Sequence, residues 1–72
     1  MTAPRWPRLT VVSPGLIGGS IARGVRARGL AGEVVVVARH EAAVRAVLDA
    51  GAADRGTTDL AAGVAGASLV VL

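Results

Sequence analysis

Residues 10–20 read TVVSPGLIGGS. Glycines at this spacing, directly after a β-branched run, suit one kind of chemistry: they let a backbone turn approach a diphosphate. In the G-x-G-x-x-G turn of dinucleotide-binding units, the first glycine makes the tight turn, the second clears the pyrophosphate and the third lets the helix pack close to the strand. Gly15 and Gly18 stand at the second and third places, Gly19 adds room, and Ser13 occupies the first. The anion would sit against free amides at a helix start, where unsatisfied N–H groups and the helix dipole favour negative charge. Leu16, Ile17 and Gly18 are the residues whose amides would point there. Ser20 either helps position the turn or is a small residue packed near a sheet, and the sequence leaves both readings open.

Two residues oppose tight binding. Pro14 pushes Ser13 into an extended conformation and removes one amide from the turn. Ser13 brings a Cβ and a hydroxyl to a place that usually has neither, so weaker nucleotide binding is expected. About 20 residues beyond the turn, an NAD site carries a carboxylate that accepts from the ribose 2′-hydroxyl. The count from Gly18 lands on Ala38, and the missing charge-assisted bond is worth about 1.5–3 kcal/mol. Arg39 and His40 follow, and an arginine there can pair with a 2′-phosphate. The cofactor expected is therefore NADP before NAD, with Arg39 and His40 on the ribose side. The competing reading makes both residues a solvated loop between a strand and a helix.

These residues need elements to hold them. Residues 1–7 (MTAPRWP) contain two prolines and no periodicity, and read as a disordered leader ahead of a domain over residues 8–72. RLTVVS, from Arg8, is a short strand that ends at a proline and a glycine. Ile17, Ile21 and Val25 recur at four-residue spacing, which predicts an amphipathic helix from Leu16 to Arg28 with Arg23, Arg26 and Arg28 toward water and Gly29 as its stop. EVVVVA (Glu33 to Ala38) is continuously apolar, as a central parallel strand covered on both faces must be. EAAVRAVLDAG gives a second helix with Val44, Val47 and Leu48 on one face and Gly51 as the stop. A very short strand is expected near Ala53 to Arg55. Thr58 or Asp59 then caps a short helix through Ala65, and SLVVL closes as a strand.

Alternation of strands and helices predicts an α/β fold: a Rossmann-like parallel sheet with flanking helices, of which this chain holds the N-terminal half. At 72 residues there is room for one small domain. The chain is 53% hydrophobic but 1% aromatic, so its core must be aliphatic and the stacking platforms of single-strand nucleic-acid binders are excluded. The net charge of +3 comes entirely from arginine and reads as helix surface rather than a nucleic-acid face. Zero cysteines exclude disulfides, thiolate metal sites and a cysteine nucleophile, and one histidine builds no metal cluster. An export signal at Arg5 to Ala22 is disfavoured by Ser13-Pro14-Gly15 and Gly18-Gly19. No apolar run reaches 18 residues, so neither a membrane span nor a membrane partner is expected.

The segments SPGLIGGSIARGVRARGLAGEVVVVARH and LDAGAADRGTTDLAAGVAGASLVVL resemble the amino-terminal half of the nucleotide-binding domain of prephenate dehydrogenases, including the arogenate-using and cyclohexadienyl relatives. The resemblance covers nearly all of Arg8 to Leu72. Its most specific parts are Gly15 to Ser20, Gly51-Ala52 and Thr58-Asp59-Leu60. It implies a cytoplasmic NAD(P)-dependent oxidoreductase of tyrosine biosynthesis, in which an oxidative decarboxylation passes hydride from the substrate ring to a nicotinamide. It places Gly15, Leu16, Ile17, Gly18, Gly19 and Ser20 along the cofactor phosphates and Arg39 near the adenosine ribose. Ser13 and Ala38 depart from the family pattern. No residue here matches the family's catalytic histidine motif, and His40 lies on the cofactor side. The chain alone is expected not to turn over prephenate, and a small-molecule substrate is a partner only for a longer parent. The alternative is a degenerate nucleotide-binding or interaction module without catalysis.

In a complete fold of this class the strand Ser68 to Leu72 would be flanked by further strands, and alone it is expected to present an apolar, unpaired edge, a known hazard for association. The isolated chain is therefore expected to self-associate through it. Sedimentation at several concentrations checks this, and a monomer at every concentration would count against it.

Overall fold

The structure is a computed structural model that describes residues 5–12 and 22–71. Its strands are β1 (Trp6–Val12), β2 (Ala31–Val37), β3 (Arg55–Thr57) and β4 (Leu69–Val71). Its helices are α1 (residues 22–27 of the described part), α2 (Glu41–Asp49) and α3 (Leu60–Val64). All four strands are parallel, in the order β3-β2-β1-β4. The expected α/β architecture, a parallel sheet flanked by helices, is the one observed.

The sheet is organised around β2. Val34 to Val37 are all buried, and so is Ala38, which follows the strand. A strand with no polar face must be covered on both sides. On one side Leu9, Val11, Val34 and Val36 form a core with Ala22 of α1 and Ala53, and Val25 and Val47 pack against it. On the other side α3 lies over Thr10, Val37 and Thr57.

Two glycines let the helices come this close. A Cβ on Gly56 would overlap a methyl of Val44 on the α2 side, and a Cβ on Gly63 would overlap a methyl of Val37 under α3. Thr10 is fully buried on the α3 side, and its hydroxyl donates to the Gly63 carbonyl at 2.8 Å. A buried hydroxyl without a partner costs free energy, so this bond fixes where α3 rests.

The helix ends follow backbone chemistry. Gly29 and Gly51 adopt φ values of +65° and +71°. Paired bonds accompany each: Gly29 N–H to Arg26 O with Leu30 N–H to Val25 O, and Gly51 N–H to Leu48 O with Ala52 N–H to Val47 O. These are Schellman closures, which satisfy carbonyls that a helix end leaves unpaired. Asp59 caps α3, its carboxylate accepting from the Ala62 amide at 3.2 Å.

Several boundaries differ from the sequence reading. β1 starts at Trp6, so the expected leader over residues 1–7 is too long where the structure describes it. The Trp6 amide donates to Leu30 O, its side chain packs on the core, and Pro7 has no partner in the β1–β2 register, so its missing N–H is not needed there. β2 begins at Ala31, two residues early, because Trp6 pairs with Ala31. β3 lies at Arg55–Thr57 rather than Ala53 to Arg55. Asp54 displaces it: its amide donates to Val34 O and its carboxylate accepts from Val34 N–H, both at 2.8 Å, and register with β2 starts one residue later. α3 ends at Val64, because Ala65 (φ −60°, ψ 126°) and Gly66 (φ +73°) form a type II turn closed by Ala67 N–H to Val64 O.

One side chain also differs. Leu48 is 36% exposed instead of lying on the buried face of α2. Arg26 is exposed, as expected, and is also paired: it meets Asp54 at 3.2 Å and donates to Gly51 O at 2.9 Å, tying α1 to the end of α2. At the amino end of the sheet Glu33 accepts from Arg8 of β1 at 2.6 Å and from Arg55 of β3 at 3.1 Å.

Gly63→Ala is expected to cost about 1–3 kcal/mol through overpacking. Gly24, at an exposed position of α1, has nothing within 4 Å of an added Cβ among the described residues. Gly24→Ala should therefore stabilise by about 0.5–1 kcal/mol. Denaturant melts of the two variants, read against the unchanged chain, should move in opposite directions.

Candidate functional site at the carboxyl edge of the sheet

The strand order reverses between β1 and β4. The chain moves outward through β1, β2 and β3, then crosses back to place β4 on the other side of β1. In open parallel sheets ligands bind outside the carboxyl ends of the strands at such a switch point. Register aligns those ends: Val12 with Val37, Val37 with Thr57, and Val11 with Val71. Residues 13–21 link the carboxyl end of β1 to α1, whose first described residue, Ala22, is fully buried in the core. Gly15, Leu16, Ile17, Gly18, Gly19 and Ser20 all fall in that link and lie outside the described residues, as does Ser13. The strand before the link and the helix after it are both present.

Arg39 and His40 are at the carboxyl end of β2, and both are exposed. Ala38, where an NAD site would carry its carboxylate, is only 6% exposed. Its amide donates to Thr57 O at 3.2 Å, so the link between β2 and β3 continues one residue past the strand. Arg39 is therefore the first residue of the edge whose side chain is open to solvent. His40 is the N-cap residue of α2, with φ −127° and ψ 142°. Its carbonyl accepts from the Ala43 and Val44 amides, while its side chain makes no capping bond. Glu41, in the first turn of α2, follows Arg39 by two residues in sequence. The sequence reading passed over it because it falls three residues beyond the usual place of the ribose acid.

The same edge holds residues that motif reasoning missed. Thr57 ends β3 beside Val37, and its hydroxyl accepts from the Asp59 amide at 3.0 Å. Between β3 and α3 lies a hollow of about 260 Å³ lined by Val35, Arg55, Gly56, Thr57, Ala62 and Gly63. Neither Arg39 nor His40, the predicted site residues among the described ones, lines it. No helix among the described residues is long and apolar enough to cross a membrane.

No protein-family model matches the chain, and no curated protein matches it. The resemblance to prephenate dehydrogenases thus rests on the residues quoted above.

The His40 side chain leaves the α2 N-cap unused, whereas a serine there accepts from a first-turn amide. His40→Ser is expected to raise stability by about 0.5–1 kcal/mol. Thermal or denaturant unfolding checks it, and no gain would mean that the cap is already satisfied by other means.

Proposed function

We propose that this chain is a dinucleotide-binding unit that takes NADP in preference to NAD, and that the hydride chemistry it serves is the oxidative decarboxylation of prephenate or arogenate. One observation carries the cofactor half of the reading. The carboxyl edge at the switch point brings together the end of the strand that leads into the glycine-rich link and the exposed Arg39 at the end of the neighbouring strand. The link would cradle the diphosphate with Gly15 to Ser20. Arg39 would meet the 2′-phosphate, with His40 beside it. The described residues fit that cofactor better than NAD, because the buried Ala38 offers no carboxylate to a ribose 2′-hydroxyl. The substrate half rests on the resemblance alone.

A module that keeps the fold and binds no nucleotide is the second reading. The missing carboxylate at Ala38 and the serine at position 13 favour it.

Titration of the chain with NADP and with NAD, followed by calorimetry, separates the two readings. The expected result is tighter binding of NADP. Arg39→Asp should lower NADP affinity by roughly 10- to 150-fold, the equivalent of a lost charge-assisted bond, and leave NAD little changed. A preference for NAD would move the ribose contact to Glu41. Indifference to both nucleotides removes the cofactor assignment and leaves the module.

A further inference from the structure

Arg39 has to be held at the edge to discriminate between the two nucleotides, and its own turn supplies little of that hold. It lies between a strand that has just ended and a helix whose N-cap side chain makes no bond. Among the described residues, a restraint on the backbone leading into Arg39 comes from the next strand. Thr57 uses three parts of itself there. Its carbonyl accepts from the amide of Ala38, the residue before Arg39, at 3.2 Å. Its hydroxyl accepts from the Asp59 amide at 3.0 Å. Its methyl faces Gly63, where an added Cβ would lie 3.2 Å away.

Those contacts extend into a chain of bonds. Asp59 caps α3 through the Ala62 amide, and the Gly63 amide donates to Asp59 O at 2.9 Å. The Gly63 carbonyl accepts from the buried Thr10 hydroxyl of β1. Thr57 is thus anchored on one side to α3 and through it to the central strand, and on the other side it grips the backbone that leads into Arg39. The hydroxyl matters most, because it fixes the bend at Thr58 between β3 and α3 and so the direction of the Thr57 carbonyl.

We propose that Thr57 is the positioning residue for Arg39, and that its hydroxyl sets how well this edge distinguishes a 2′-phosphate from a 2′-hydroxyl. The inference rests on the reading of Arg39 as the 2′-phosphate contact. It adds that selectivity is controlled from β3, by a residue that touches no ligand.

Thr57→Val keeps the shape and the methyl and removes the acceptor, while Thr57→Ser keeps the acceptor. Two measurements on the full chain test the idea. By amide exchange in NMR, the Ala38 and Arg39 amides should exchange several-fold faster in Thr57→Val, while those of Val34 and Val36 in the middle of β2 stay unchanged. By calorimetry, the NADP-over-NAD affinity ratio should fall roughly three- to tenfold in Thr57→Val and be retained in Thr57→Ser. Equal loss of both nucleotides, or uniform acceleration along β2, would indicate a general loss of stability and overturn the proposal. So would an unchanged ratio in Thr57→Val when Arg39→Asp abolishes the preference. If the unchanged chain shows no preference for NADP, the reading of Arg39 fails and the selectivity role fails with it; the exchange data then report separately on whether Thr57 holds the turn.

Discussion

The structure depends on one constraint: β2 is apolar on both faces and has to be covered on both. Val34 and Val36 face one helical layer, and Val35 and Val37 face the other side of the sheet. Among the described residues there is little helix for the purpose, with residues 22–27 in α1, nine residues in α2 and five in α3. Coverage is achieved by close approach rather than by length. Gly56 and Gly63 remove the side chains that would hold the layers apart, and the bond from Thr10 to Gly63 sets the height of α3 above the sheet. The carboxyl edge inherits its geometry from that seating, since Thr57, Asp59 and Ala38 are bonded to the same helix or to one another.

The two ends of the sheet are held by different forces. At the amino end Glu33 sits between Arg8 and Arg55, and Arg8 also donates to Ala65 O at 2.9 Å. These groups are partly exposed, and ion pairs of that kind contribute little and weaken with salt. At the carboxyl end the described restraints are backbone bonds and caps. The end of β2 leaves Arg39 and His40 open to solvent, an arrangement suited to meeting an anion and one that gives the fold little in return.

Much of this fold could be read from residue order. The run Glu33 to Ala38 announced a central strand, Gly29 and Gly51 announced helix ends, and Asp59 announced a cap, because each signal is local. The position of β3 could not be read this way, since it depends on Asp54 reaching Val34 across the sheet. Arg26 was legible as surface but its pairing was not, because its partners, Asp54 and Gly51, are 28 and 25 residues away. Of the candidate site, Arg39 and His40 were proposed by counting from the glycine turn, and both lie exposed at the carboxyl end of β2. The contacts of Thr57 were not legible, because they are made by a carbonyl and a methyl as well as a hydroxyl, and a residue's name says nothing about where its carbonyl points.

Trp6 is the chain's one aromatic residue, and it stands at the first position of β1, against the core and with the Arg5 guanidinium 5.7 Å from its ring centre. Six residues of extended strand, roughly 20 Å, separate it from the carboxyl edge. Intrinsic fluorescence of this protein is therefore an optical gauge of whether the amino end of the sheet is assembled.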